Sequence, residues 1–262
     1  MVTRQDRLSS LVNFIVEEGS VSVEQVVTHL GVSQATARRD LDALADQQLI
    51  QRTRGGASAN PSSGEVPLRY RGGRRSSEKA AIAAYAAGLV IPGEVVGFNG
   101  GTTTTATAYE LGVRIAAEPA FEHLPITVVT NAVNIANDLT IRPQARVVVT
   151  GGVARARSYE LVGPLADLIL PAIKIDTLFL GVTAIDDNGG CYTQYEDEAA
   201  INAALVRAAR RTIIIADASK FGLSAFARIC ALSDAQILIT DSGVSPADVA
   251  RVEAAGVRVV AV

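Results

Sequence analysis

Apolar positions along the 262-residue chain fall into two regimes, and the change comes near residue 75. Over residues 6–18 (DRLSSLVNFIVEE), Leu8, Leu11, Val12, Ile15 and Val16 recur at helical spacing and Gly19 ends the run. VSVEQVVTHL predicts a second helix, with Ser22 as its N-cap and Val26, Val27 and Leu30 on one face. Gly31 breaks the chain, and Ser33 caps a third helix whose apolar face is Ala37, Leu41 and Leu44. LIQRTRGGA then reads as a short strand with a basic tip. From Gly55 to Ser77, Gly, Ser, Pro and Arg dominate without apolar periodicity, which predicts a linker, partly ordered around Val66 to Tyr70.

Beyond it, apolar runs bounded by turns stand at residues 95–98, 126–129, 147–149, 178–180, 213–216, 237–239 and 257–262. Helical segments at 78–90, 103–111, 133–139, 164–170, 196–210 and 246–254 separate them. Strands apolar throughout and alternating with helices predict a mainly parallel, Rossmann-like sheet covered on both faces. The expected organisation is a small helical domain at 1–57, a linker at 58–77 and an α/β domain at 78–262.

Composition changes this picture little. Hydrophobic content of 48% suits a globular chain. MVTRQDRLSS is polar rather than signal-like, and no run approaches the ~18 apolar residues of a membrane span, so a cytoplasmic protein is expected. Cys191 and Cys230 lie far apart in sequence and His29 and His123 are isolated, which predicts inert thiols and neither metal nor cofactor. The net charge of −3 conceals a weak division: residues 1–75 carry +2 and the remainder −5.

Three short helices with the tight HLGVS turn match a helix-turn-helix plan. The third helix would present Ser33, Gln34, Ala35 and Thr36 to base edges and phosphates, with Arg38 and Arg39 a turn further on and Arg52 and Arg54 in a wing. A small helical interaction module with solvated arginines has the same spacing. Residues 21–57, with TARRDL at Thr36–Leu41 and GGA at Gly55–Ala57, resemble the winged helix-turn-helix of DeoR-type bacterial repressors.

In GFNGGTTTT an apolar strand runs into glycines that admit an anion, and threonines open a helix whose N-terminus favours negative charge. A plain strand-to-helix turn has the same composition. TN at 130–131, TGG at 150–152, GVT at 181–183 and DASK at 217–220 follow other predicted strands, and such ends converge on one crevice in an open α/β sheet. TNAVNIANDL, TGGVARARSYELVG, DTLFLGVTAID, YEDEAAINAAL and ADASKFG resemble successive blocks of the sensor domain of the same family, whose fold is similar to ribose-phosphate isomerases and sugar-phosphate deaminases. The resemblance implies that Gly100, Gly101, Thr102, Thr103 and Thr104 hold a phosphate beside Asn99. It implies that Asn131, Gly152, Glu198, Asp217 and Lys220 face the sugar or build its pocket, and the strand-end loops add Thr130, Gly151, Gly181 and Thr183 as candidates beside them. Two departures stand out: Asn99 where the family usually has aspartate, and Ala184 where it commonly has glycine.

Isomerisation needs a general base in the crevice. The loop 181–187 offers Thr183, Ala184, Asp186 and Asp187, and neither histidine falls in a crevice loop. Glu198 or Asp217 remains as a base, so two alternatives stay open: a sugar-phosphate isomerase or deaminase with an accessory module, and a nucleic-acid-binding protein whose large domain only assembles. The favoured expectation is a receptor without catalytic residues: a homodimeric or homotetrameric repressor of carbohydrate genes that binds a double-stranded operator and is released by a phosphorylated sugar.

Overall fold

The computed structural model describes residues 3–60, 66–71 and 75–262; residues 61–65 and 72–74 of the expected linker lie outside the described residues. The chain divides into two compact units, Met1–Ser76 and Ser77–Val262.

In the first unit, helix α1 (Arg4–Glu18) starts at a capping box in which Thr3 and Asp6 satisfy each other's amides. Strand β1 (Ser20–Ser22) leads to α2 (Val23–Leu30), capped the same way by Ser22 and Gln25 and stopped by Gly31 at φ 62°. Helix α3 (Gln34–Asp46) follows its Ser33 cap, and β2 (Ile50–Thr53) pairs with β3 (Gly56–Ala59) to form the wing. Leu11, Val12, Ile15, Val26, Leu41 and Leu44 close the core between the helices. β1 and β3 were not legible: a three-residue strand has no period to read, and GASA lacks branched residues. Gly56 admits the close approach of β1, since a Cβ there would stand 1.9 Å from the Val21 carbonyl oxygen.

One ion pair ties this unit together. Arg7 on α1 donates from Nε to Asp40 Oδ2 at 2.6 Å and from Nη2 to Oδ1 at 3.2 Å, and Asp40 is only 2% exposed. The aspartate of the TARRDL motif therefore faces inward and fixes α3 to α1. Helix α4 (Leu68–Arg71) packs on α1, with Tyr70 buried and donating from Oη to Gln47 Oε1 at 2.7 Å. Part of the expected linker thus belongs to the first unit's core.

The second unit begins with α5 (Ser76–Gly88) and β4 (Val95–Phe98), then α6 (Thr102–Ala117), α7 (Ala120–His123), β5 (Ile126–Thr130), α8 (Val133–Thr140) and β6 (Ala145–Val149). A small hairpin, β7 (Val153–Ala154) and β8 (Leu161–Val162), precedes α9 (Pro164–Asp167) and β9 (Ile175–Leu180). The chain continues through β10 (Ala184–Ile185), β11 (Gly190–Thr193), α10 (Glu196–Ala208), β12 (Ala209–Ile215), β13 (Ala227–Ala231), β14 (Ile237–Thr240), α11 (Pro246–Ala254) and β15 (Arg258–Ala261). The main sheet has the order β15-β14-β12-β9-β4-β5-β6 and every pairing in it is parallel.

Alternate residues of each strand feed opposite faces. Leu178, Leu180, Ile214 and Leu238 join α10 and α11 in one cluster, while Phe179, Ile213, Ile215 and Ile239 join α5, α6 and α8 in the other. Each such fully buried side chain is worth about 1.5–3 kcal/mol. Phe98 and Phe179 are register partners on β4 and β9 and stack at 5.4 Å. The expected helix at 164–170 shrinks to the four residues of α9 and a 3-10 turn at Leu170–Ala172, where Pro171 lacks the amide a longer helix needs. Cys191 and Cys230, remote in sequence, are register partners on β11 and β13; their mutual hydrogen bond and burial push the Cys191 thiol well above its ordinary range.

Candidate functional site

In the first unit, Ser33 accepts the amide of Thr36 at 3.2 Å, and the two hydroxyls lie 3.0 Å apart. With Ala37, Leu41 and Leu44 buried, helical geometry turns Gln34, Ala35, Arg38 and Arg39 outward, and all four are exposed. Arg54 is exposed at the wing tip beside Gly55, whose φ is 112°. Arg52 is more committed: it donates to the Gly56 carbonyl at 2.6 Å and pairs with Asp42 at 3.0 Å. Its structural work is to brace the wing against α3.

In the second unit, the strand order reverses between β4 and β9, since the chain proceeds from β4 to β5 and β6 on one side and through β9, β12, β14 and β15 on the other. A crevice opens outside the C-terminal ends of strands at such a switch point. Asn99 follows β4 and Gly181 follows β9, and they are joined at both ends of the amide: Asn99 Nδ2 donates to the Gly181 carbonyl at 2.9 Å and Oδ1 accepts the Gly181 amide at 2.8 Å. Asn99 is thereby a buried cross-tie between the two loops.

Helix α6 starts at Gly101, with φ 146° and no side-chain cap. The first intrahelical bond is Thr105 to the Gly101 carbonyl at 3.0 Å, so the amides of Thr102, Thr103 and Thr104 have no intrahelical acceptor. The threonine hydroxyls divide by role. Thr104 and Thr105 donate theirs back to the Gly101 carbonyl, at 3.0 and 2.6 Å, which stiffens the turn. The Thr104 and Thr105 hydroxyls are thus committed to the turn, while the amides of Thr102 to Thr104 lack any intrahelical partner.

Several of the other expected site residues hold loops in place. Thr130 Oγ1 accepts the Ala132 amide at 3.0 Å. A Cβ on Gly152 would stand 2.7 Å from the Val162 carbonyl oxygen, so this glycine lets the β7–β8 hairpin close, while Gly151 is exposed. Asp217 caps the 3-10 turn Ala218–Lys220 by accepting the Ser219 amide at 3.1 Å, and Lys220 ends that turn half-buried. Thr183 lies 3.5 Å from Thr193, whose hydroxyl donates to Glu198 Oε2 at 3.0 Å.

Two charged residues that sequence reading missed stand among these loops. Glu160, 3% exposed, accepts the Gly100 amide at 3.0 Å and Asn131 Nδ2 at 3.3 Å. Arg155 reaches both carboxylate oxygens of Asp197 at 2.7 Å, lies 3.2 Å from Glu198 and stacks over Tyr195 at 3.9 Å. Isolated charges in a loop read as solvated surface, and only the fold buries them. Asn131 is fully buried and its Oδ1 has no hydrogen-bond partner.

This division into a winged reader and an α/β crevice corresponds to two family models: residues 7–63 match the DeoR-like helix-turn-helix domain, and residues 74–242 match the DeoR C terminal sensor domain. The chain belongs to the DeoR family. The HTH-type transcriptional regulator GlpR of Haloferax volcanii is 34% identical over 97% of this chain and 96% of its own length. The glycerol-3-phosphate regulon repressor of Escherichia coli is 30% identical over 90% of each. Among solved structures, ribose 5-phosphate isomerase A of Methanocaldococcus jannaschii aligns over 56% of this chain and 54% of its own, at 18% identity and a TM-score of 0.41. As a DeoR-family member with regulators for relatives, the protein is a DNA-binding transcriptional regulator rather than an enzyme.

Proposed function

We propose that this DeoR-family regulator represses carbohydrate genes, that a phosphorylated sugar releases it, and that the phosphate sits on the amides opening α6. The observation that supports this most is the uncapped first turn of α6 at the β4/β9 switch point, with the buried, unpartnered Asn131 Oδ1 on an adjoining loop. A helix N-terminus offers an anion its free amides and the positive end of the dipole. Asn131, Thr183, Glu198 and the Asp217–Lys220 turn then offer acceptors and one cation to the sugar. One relative is named as the repressor of a glycerol-3-phosphate regulon, which agrees with a small phosphorylated effector.

Operator recognition falls to Gln34, Ala35, Arg38 and Arg39, with Arg54 at the wing. Arg38→Ala weakens operator binding by about 1–3 kcal/mol if Arg38 contacts a base. A gel-shift titration at fixed salt measures this, and unchanged affinity removes Arg38 from the recognition set.

The protein acts in the cytoplasm as a homodimer or homotetramer that places two heads on repeated half-sites. Among the described residues no helix is long and apolar enough to cross a membrane. The ligand must bind one arrangement of the oligomer better than another, because only differential affinity shifts such an equilibrium. A thermal-shift screen of sugar phosphates, followed by operator release with the hits, tests the whole scheme. Lys220→Ala keeps operator affinity and loses the ligand response. Loss of operator binding in that variant would make Lys220 part of the scaffold instead.

A further inference from the structure

Glu160 stands in an unusual position for a carboxylate. Its Oε1 takes the amide of Gly100, in the loop leading into α6, at 3.0 Å. The contact is close enough that a Cβ on Gly100 would lie 2.3 Å from Glu160 Cγ. A side chain at position 100 would have to displace the Glu160 carboxylate, so a negative charge already lies against the cradle.

From this contact we infer that Glu160 is an internal anion competing with the phosphate of the effector, and that its withdrawal carries the binding signal to α10. The inference rests on the cradle being the phosphate site. A phosphate that took the Gly100 amide would place its oxygens against the Glu160 carboxylate, and two anions cannot share one donor without repulsion.

The backbone around Glu160 explains how its movement spreads. Tyr159, held at φ 62°, accepts the Val133 amide at 2.9 Å, and Leu161 donates to the Asn131 carbonyl at 2.6 Å. The Glu160 carbonyl accepts the Arg155 amide at 2.9 Å. Arg155 in turn grips Asp197 and Glu198 in the first turn of α10. Expelling the carboxylate pulls on the segment between β7 and β8, and the arginine on that segment is anchored in α10.

The experiment titrates the full-length protein with inorganic phosphate by calorimetry, in the wild type, Glu160→Gln and Glu160→Asp. Gln keeps the shape and removes the charge, so phosphate affinity rises by about tenfold. Asp keeps the charge on a shorter stem that no longer reaches Gly100, and affinity rises by a smaller factor. Hydrogen exchange of the amides at 155–162 speeds up when phosphate is added to the wild type. It is already fast in Glu160→Gln before phosphate is added. Circular dichroism establishes that each variant is folded, and Glu160→Asp serves if Glu160→Gln is not. Equal affinities, or weaker binding by Glu160→Gln, overturn the competition and make Glu160 a ligand contact or a structural strut. If no form binds phosphate, the cradle reading itself fails.

Discussion

Asp40→Ala destabilises the DNA-binding unit by about 3 kcal/mol, the low end for breaking a buried ion pair, because it strands the Arg7 guanidinium. Asp40 is almost fully enclosed, and its carboxylate engages Arg7 through two hydrogen bonds that join α3 to α1. Arg7 retains some solvent access, with 23% of its side chain exposed, which keeps the loss from being larger. For a unit of this size the melting point falls by roughly 10–20 °C. Native-state hydrogen exchange measures the effect region by region: α1 and α3 lose protection while the β4 and β9 amides keep theirs. Asp40→Asn retains an acceptor and loses less. Full protection of α3 in Asp40→Ala would mean that the ion pair contributes nothing. Operator binding weakens in parallel, through loss of the folded head and not of a DNA contact.

Asn99→Ala acts on the other unit. It removes both bonds to Gly181 and leaves that residue's amide and carbonyl without their partner at the switch point. The expected cost is about 2–3 kcal/mol, since each buried group left unpaired costs about 1–3 and Gly181 is only half-buried. Asn99→Asp, which installs the residue the sequence resemblance led one to expect, is informative in a different way. It keeps the acceptor for the Gly181 amide and sets a carboxylate against the Gly181 carbonyl that Nδ2 now serves. It also adds a charge next to the Gly100–Glu160 contact. Calorimetric unfolding of the sensor orders the three forms, with the wild type the most stable. A tie between the wild type and Asn99→Asp would show that the donor half of the cross-tie is dispensable.

The alternation of apolar strands and helices was enough to predict the parallel sheet, whereas the helix spacing fitted an interaction module as well, and only the resemblance of TARRDL and GGA to DeoR-type repressors pointed to the winged reader. What could not be read was which of the motif residues touch one another. Asp40 looks like a surface acid on a helix until α1 packs over it, and Asn99 looks like a ligand contact until Gly181 is found at both ends of its amide. Thr104 reads as a phosphate hydroxyl, yet it bonds back to Gly101. Glu160 and Arg155 carry no local pattern: their positions depend on the β7–β8 hairpin, whose two-residue strands have no period.

The strand order bears on how the protein is made. β4 and β9 are hydrogen-bonded neighbours at the centre of the sheet, yet the bond from Val95 to Asp176 joins residues 81 positions apart. Such a distant pairing is slow to close. By contrast, α1 to α3, the wing and α4 find their packing partners within residues 4–71, ahead of the sheet in the chain. A nascent chain therefore completes its winged unit before the sheet behind it can close, and a message cut short ahead of β9 encodes that unit without the β4–β9 switch point.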